Sequence, residues 1–107
     1  MSLYCWGLSR SGQAGQTDDK TGKVIIPSKV SIKRSRHGNI LDVGAGGLYT
    51  AAITDKNVLV TFGCGKYGRL GNGSEDDQHT PCFTVVQGAP LLKVGLWNNP
   101  RNYDLLF

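Results

Sequence analysis

A set of three glycines with one spacing occurs twice along this chain, and this repeat constrains the fold more than any other feature. Gly7, Gly12 and Gly15 each lie 56 residues before a glycine of a second set. The second set consists of Gly63, Gly68 and Gly71. A period of this length is typical of proteins built from repeated supersecondary units. The sequence therefore predicts two copies of one structural unit.

Landmarks downstream of the glycines extend the repeat. Pro27 corresponds to Pro81, and residues 40–44 (ILDVG) correspond to residues 91–95 (LLKVG). The separation falls from 56 residues to 54 and then to 51, because the first copy carries two extra residues before Pro27 and three more before residue 40. We place the first repeat at residues 1–57, a second, partial repeat at 58–96 and a divergent C-terminal tail at 97–107.

Short apolar blocks rich in β-branched and aromatic residues indicate strands, and no window shows a long helical periodicity. The predicted strands are residues 3–7, 24–30, 40–43, 48–54, 58–63 and 83–86. The fold class predicted from this pattern is all-β with antiparallel strand pairs.

The six repeated glycines have structural explanations. The first glycine of each copy ends a strand, where the absence of a Cβ lets another backbone approach closely. The later two allow positive φ in a compact turn. We interpret Gly7, Gly12, Gly15, Gly63, Gly68 and Gly71 as structural glycines.

Longer motifs resemble a known repeat family. Trp6-Gly-x4-Gly-Gln-Ala-Gly, the later Pro27 and residues 43–54 (VGAGGLYTAAIT) resemble one repeat of the regulator of chromosome condensation family. Phe62-Gly-x4-Gly-Arg-Leu-Gly followed by Pro81 resembles the next. In that family seven repeats close a β-propeller. The resemblance implies two tandem propeller-type blades of antiparallel sheet, an incomplete β-propeller.

One residue and one segment depart from the family pattern. Tyr49 stands where the family usually has histidine, and the segment after Gly95 does not resemble the expected glycine-rich strand pair. Two blades alone would leave outer faces and edge strands uncovered. We therefore expect self-association, or a larger chain that completes the propeller.

Composition excludes several classes of protein. The chain has 107 residues, and no run approaches the roughly 20 apolar residues that cross a bilayer. No signal peptide is recognisable at the start. We expect a cytoplasmic or nuclear protein without a membrane partner. Cys5, Cys64 and Cys82 form an odd set without CxxC spacing, which indicates free thiols rather than a disulfide framework or a zinc site.

No motif indicates catalysis. Residues 63–68 match the pattern GxGxxG, but a glycine-broken acidic stretch follows them instead of the helix that a phosphate loop requires. No serine, histidine and aspartate stand at a recognisable catalytic spacing. We expect neither enzymatic activity nor a cofactor or metal.

Charge is concentrated in one segment. Residues 20–37 hold six of the twelve Lys and Arg residues and no acidic residue. The tightest group coincides with the three-residue insertion of the first copy, which predicts a long basic loop. Its candidate partner-binding residues are Lys33, Arg34, Arg36 and His37. The sequence allows three interpretations of this loop: a solvated loop, a binding site for an acidic protein, or a binding site for nucleic acid.

The functional hypotheses follow from these features. We favour a non-catalytic protein–protein interaction module. The resemblance also implies a second possibility, part of a guanine-nucleotide exchange factor for a Ran-type small GTPase, although no exchange residue can be carried over to this chain. The third is chromatin or nucleic-acid binding through the basic loop.

Overall fold

The computed structural model describes residues 2–15 and 22–87, together with the backbone of two short strands at 95–96 and 105–106. The elements in chain order are β1 (Tyr4–Leu8), β2 (Lys23–Lys29), α1 (Arg34–His37), β3 (Ile40–Ala45), β4 (Tyr49–Thr54), β5 (Val58–Gly63), a 3₁₀ turn (Lys66–Gly68), β6 (Gln78–Val85), β7 (Gly95–Leu96) and β8 (Leu105–Leu106). The prediction of an all-β fold is confirmed.

All strand pairs are antiparallel. β1 pairs with β2, the central sheet has the order β3-β4-β5-β6, and β7 pairs with β8. β5 and β6 occupy the same places in the second copy as β1 and β2 in the first, and their registers agree. Gly7 lies opposite Val24 in the first copy, and Gly63 lies opposite Gln78 in the second.

The central sheet does not follow the sequence repeat. It takes β3 and β4 from the first copy and β5 and β6 from the second. The repeat boundaries at residues 57 and 96 remain predictions. Most of the tail that we assigned to 97–107 lies outside the described residues.

The main core lies between the β1–β2 pair and one face of the central sheet. Its buried residues are Val30, Ala52, Val58, Val60 and Phe62, and Leu3 and Cys5 pack against them. The opposite face of the central sheet carries a second cluster of Ala51, Ile53 and Leu59. β4 and β5 are therefore buried on both faces, as expected for central strands between packed layers.

The first glycines of the two copies have the same conformation but different surroundings. Gly7 and Gly63 have φ values of 110° and 118°. A Cβ on Gly63 would lie 2.5 Å from the carbonyl oxygen of Leu48 and 2.7 Å from Cα of Tyr49, whereas a Cβ on Gly7 would meet nothing within 4 Å. The difference arises because β4 runs beside β5, while β1 has no strand on that side among the described residues.

β6 begins five residues earlier than the sequence predicts. We expected a strand over residues 83–86, and the structure forms one from Gln78 to Val85 that contains Pro81. A proline is accepted here because β6 is an edge strand of the central sheet, where its missing N–H need not remove a bond of the ladder.

Candidate functional site

The predicted basic loop contains one helical turn, which we call the basic turn (residues 33–37). The amides of Arg36 and His37 donate to the carbonyl oxygen of Lys33 at 3.0 and 2.8 Å, and Gly38 N–H donates to that of Arg34 at 2.9 Å. No residue of α1 is buried, and the side chains of Lys33, Arg34 and Arg36 are exposed. The structure thus brings all four predicted partner-binding residues together on one turn.

Hydrogen bonds from the β4–β5 turn hold the basic turn against the central sheet. Thr54 Oγ1 donates to the carbonyl oxygen of His37 at 2.6 Å. Asn39 donates to Asp55 Oδ1 through its backbone N–H and to Oδ2 through its side chain, both at 2.9 Å. Thr54 belongs to β4, and Asn39 directly precedes β3. These hydrogen bonds therefore fix the basic turn to the strands of the central sheet, which form a rigid scaffold.

A fourth cationic side chain joins the basic turn from the same β4–β5 turn. Lys56 Nζ donates to the carbonyl oxygen of Ser35 at 2.9 Å. This contact places an ammonium group against the backbone of α1. The positive surface therefore consists of Lys33, Arg34 and Arg36, which are neighbours in the sequence, and of Lys56, which is not.

His37 differs from the other members of the turn because its ring is stacked. The ring lies parallel to that of Phe83, with centroids 3.7 Å apart and planes 5° apart. Partial burial lowers the pKa of His37, and repulsion from Arg36, Lys33 and Lys56 lowers it further. These contacts favour the neutral imidazole in the folded protein.

The lowered pKa of His37 predicts how stability depends on pH. Because the unfolded chain binds a proton at this site more readily, stability is retained above the unfolded value of about 6.5 and is lost as the pH falls through the folded value. Urea unfolding at a series of pH values should show a smaller loss on acidification for His37→Gln than for the wild type. Equal losses in the two proteins would contradict the assignment.

The sequence did not indicate Lys56 or Phe83 as members of this site. Register brings Lys56 there: Ile40 lies opposite Thr54 in the β3–β4 pair, so the residues after Thr54 lie beside the end of the basic turn. That signal was available in principle, because the two predicted strands at 40–43 and 48–54 are close enough to form a hairpin. Phe83 comes from β6 and reaches the site by stacking on His37.

The glycine-rich motif at residues 63–68 does not form a phosphate site. Its 3₁₀ turn spans only Lys66–Gly68, and no α-helix follows it within the described residues 69–87. Gly65 N–H donates to Asp77 Oδ1 at 3.0 Å, and a Cβ on Gly65 would collide with the carbonyl oxygen of Asp76. A carboxylate thus occupies a donor that an anionic ligand would need.

Residue types used in metal sites or catalysis are dispersed. Across residues 2–15 and 22–87, no group of three His, Cys, Asp or Glu side chains is placed to hold a metal ion. Cys5, Cys64 and Cys82 are unpaired thiols, and burial raises the pKa of the Cys5 thiol. No helix in the described part of the chain is both long and apolar enough to cross a membrane.

Comparison with curated proteins shows relatives of much greater length. The chain is 35% identical over 94 residues to human E3 ubiquitin-protein ligase HERC2, covering 86% of this chain and 2% of that protein. It is 36% identical over 92 residues to the ultraviolet-B receptor UVR8 of Arabidopsis thaliana, covering 86% and 20%. It is 30% identical over 93 residues to the RCC2 homolog of Danio rerio, covering 86% and 18%. The chain thus spans a fifth or less of each of these relatives.

A solved structure supports the architecture. The chain superposes on the crystal structure of human WBSCR16 with a TM-score of 0.67 and 21% identity, covering 87% of this chain and 24% of the other. The open arrangement of antiparallel sheets is that of an incomplete β-propeller. Residues 2–53 and 59–94 both match the regulator of chromosome condensation (RCC1) repeat. The chain belongs to the regulator of chromosome condensation repeat family, and the resemblance of its repeated motifs is thereby confirmed.

Proposed function

We propose that this chain is a non-catalytic protein-interaction module whose basic turn binds an acidic surface of a partner protein. One observation carries the proposal: Lys33, Arg34 and Arg36 are exposed on a turn that is tied to the central sheet, with Lys56 beside them. A surface whose backbone is already ordered loses less conformational entropy when it binds.

The charge of the turn favours an anionic partner. The residues of α1 include no acid in the first turn, and the basic residues of its last turn are Arg34, Arg36 and His37. Contacts of this kind steer association and select partners by charge complementarity. They also make binding sensitive to ionic strength, because exposed charges are screened by salt.

The similarity to named proteins supports binding rather than one particular chemistry. HERC2 is named as an E3 ubiquitin-protein ligase and UVR8 as an ultraviolet-B receptor, yet each contains a segment similar to this chain. A fold shared by proteins with such different activities favours a role as a scaffold that presents loops. We therefore assign the specificity to the basic turn, which lies in the insertion of the first copy.

Removing the exposed charges of the turn tests the proposal. We expect the triple variant Lys33→Ala, Arg34→Ala, Arg36→Ala to bind a fluorescent peptide of alternating glutamate and serine roughly tenfold more weakly than the wild type. Three exposed charge contacts contribute about 1–2 kcal/mol in total. Fluorescence anisotropy at low salt measures the affinity.

A charge-matched control separates a site from general attraction. The variant Lys23→Ala, Lys29→Ala, Lys66→Ala removes the same charge from other exposed positions and should bind nearly as well as the wild type. Equal weakening by both triple variants would mean that net charge alone governs binding, and the proposed site would be wrong.

Two further probes distinguish the remaining functions. A random-sequence DNA duplex that binds more tightly than the peptide, with affinity falling steeply with salt, would identify a nucleic-acid binder instead. Faster nucleotide release from a Ran-type small GTPase would identify part of an exchange factor. Either result would replace the proposed function.

A further inference from the structure

We propose that a second copy of this chain binds head to tail, with Trp6 of one copy packed over Gly71 of the other. This interaction is independent of the basic turn and uses the two ends of the folded unit. It extends between chains a contact that the structure already contains within one chain.

The contact within the chain is made by Phe62 and Gly15. Phe62 is completely buried, at 0% exposure. A Cβ on Gly15 would lie only 3.0 Å from Cε2 of Phe62 and 3.2 Å from Cγ2 of Val30. The aromatic ring from the second copy of the repeat thus fills the space that a glycine in the first copy leaves open.

The corresponding residues at the two ends have no such partner within the described residues. Trp6 stands one repeat before Phe62 and is 62% exposed. Gly71 stands one repeat after Gly15, and a Cβ there would meet only Leu59 Cδ2, at 3.7 Å. One end of the unit thus presents the exposed side chain of Trp6. The other end presents Gly71, which stands at the repeat position where Gly15 packs against an aromatic ring.

The residues around Trp6 form a larger apolar surface, which we call the leading face (Tyr4, Trp6 and Leu8). All three side chains are exposed, whereas Leu3 and Cys5, the neighbours of Tyr4 in the chain, pack against the core. The equivalents of Tyr4 and Leu8 in the second copy, Val60 and Cys64, are buried. The leading face is therefore an exposed apolar patch at repeat positions that are buried in the second copy, and such patches mark interaction surfaces.

The receiving surface, which we call the trailing face, consists of Gly71 and Thr84, with the buried side chain of Leu59 beside Gly71. Leu59 lies beside Gly71 and directly opposite Thr84 in the β5–β6 pair, so Leu59 and Thr84 share one face of the central sheet. Thr84 is the repeat equivalent of Val30. Gly71 and Thr84 thus stand at the repeat positions of Gly15 and Val30, but a Cβ on Gly71 would meet only Leu59 within 4 Å, so the space beside it is more open.

The strand pairs at the two ends complement each other in the same arrangement. Among the described residues, β1–β2 has no counterpart of the two strands that β3–β4 supply to β5–β6. Gly95 of β7 is the repeat equivalent of Gly44 in β3, and it lies opposite Leu106 as Gly44 lies opposite Ala51. Head-to-tail contact would bring β8 beside β1 of the next copy and give the order β7-β8-β1-β2, the same pattern as the central sheet.

Space beside the free edge of β1 agrees with this arrangement. A cleft of about 310 Å³ is lined by Trp6 of β1, Val43 of β3 and Thr50 of β4, among other residues. An added strand pair beside β1 would occupy this side of the sheet. Because the two faces of such a contact differ, copies add in one direction and form either a closed ring or an open chain.

Light scattering over a wide concentration range tests the proposal. The mass of the wild type should rise above the monomer value of 11.5 kDa with increasing concentration. Trp6→Ala should remain at the monomer mass, and circular dichroism checks that this change at an exposed position leaves the fold intact. Val85→Ala is the matched control: Val85 is 66% exposed but lies on the opposite face of β6 from Thr84, so association should persist.

Mixing two non-associating variants tests the head-to-tail geometry. Thr84→Arg should block the trailing face and Trp6→Ala the leading face, so each alone should stay monomeric. A mixture should form a one-to-one complex of about twice the monomer mass, since one intact face of each kind remains. In a background of Trp97→Phe, where Trp6 is the only tryptophan, association should also shift its emission to shorter wavelength.

Several results would overturn the proposal. A wild-type protein that stays monomeric at all concentrations would do so, as would a Trp6→Ala variant that associates like the wild type. A mixture that forms no complex while both variants are folded would exclude the head-to-tail arrangement.

Discussion

Replacing Phe62 with alanine is expected to lower the free energy of unfolding by about 3–5 kcal/mol, the range for truncating a buried aromatic side chain. Phe62 has no exposed surface and belongs to the core that joins the β1–β2 pair to the central sheet. Domains of this size have little stability to spare. Urea unfolding followed by circular dichroism should show a much lower midpoint or a largely unfolded protein in buffer.

The same substitution at Phe83 is the control for this prediction. Phe83 is partly exposed and stacks on His37, so its truncation removes one aromatic contact worth roughly 0.5–1.5 kcal/mol and some surface burial. If Phe62→Ala and Phe83→Ala lowered stability equally, the core assigned to Phe62 would be wrong.

The second large effect is expected at Gly63. Gly63→Ala and Gly7→Ala both place a Cβ on a backbone with φ above 100°, and both should carry a conformational cost of about 1–3 kcal/mol. Only the Cβ at position 63 meets another backbone, at Leu48 and Tyr49. We therefore expect Gly63→Ala to be about 1–3 kcal/mol more destabilising than Gly7→Ala.

Denaturant titration of the two alanine variants measures this difference directly. Because the two glycines share nearly the same φ, the comparison isolates the close approach of β4 from the backbone strain. Equal destabilisation would show that conformation alone explains the glycine at the end of β5.

The bounds of a strand were predictable where local residue preferences define both of its ends. The expected strand at residues 58–63 has the observed bounds of β5, because a β-branched and aromatic run ends at a glycine that must adopt positive φ. The start of β6 was not predictable in this way. The segment from Gln78 to Pro81 contains a proline, which is depleted in strands, and it extends because β5 offers an edge to pair with.

The candidate site was predictable in composition but not in shape. The sequence groups Lys33, Arg34, Arg36 and His37, whereas a four-residue helical turn is too short to leave a periodic pattern. Lys56 and Phe83 reach the site through strand register and ring stacking. The position of Lys56 follows from a hairpin that the strand spacing allows, whereas the stacking of Phe83 on His37 depends on tertiary structure and leaves no signal in residue spacing.

The central sheet draws two strands from each repeat, and this arrangement determines how the protein should unfold. Unfolding the first copy would remove β3 and β4 from the sheet and expose β5 on its paired edge. Unfolding the second would remove β5 and Phe62 and open the core around Val30. Neither copy can therefore unfold independently, and the residues from β1 to β6 should behave as one cooperative unit despite their origin in two sequence repeats.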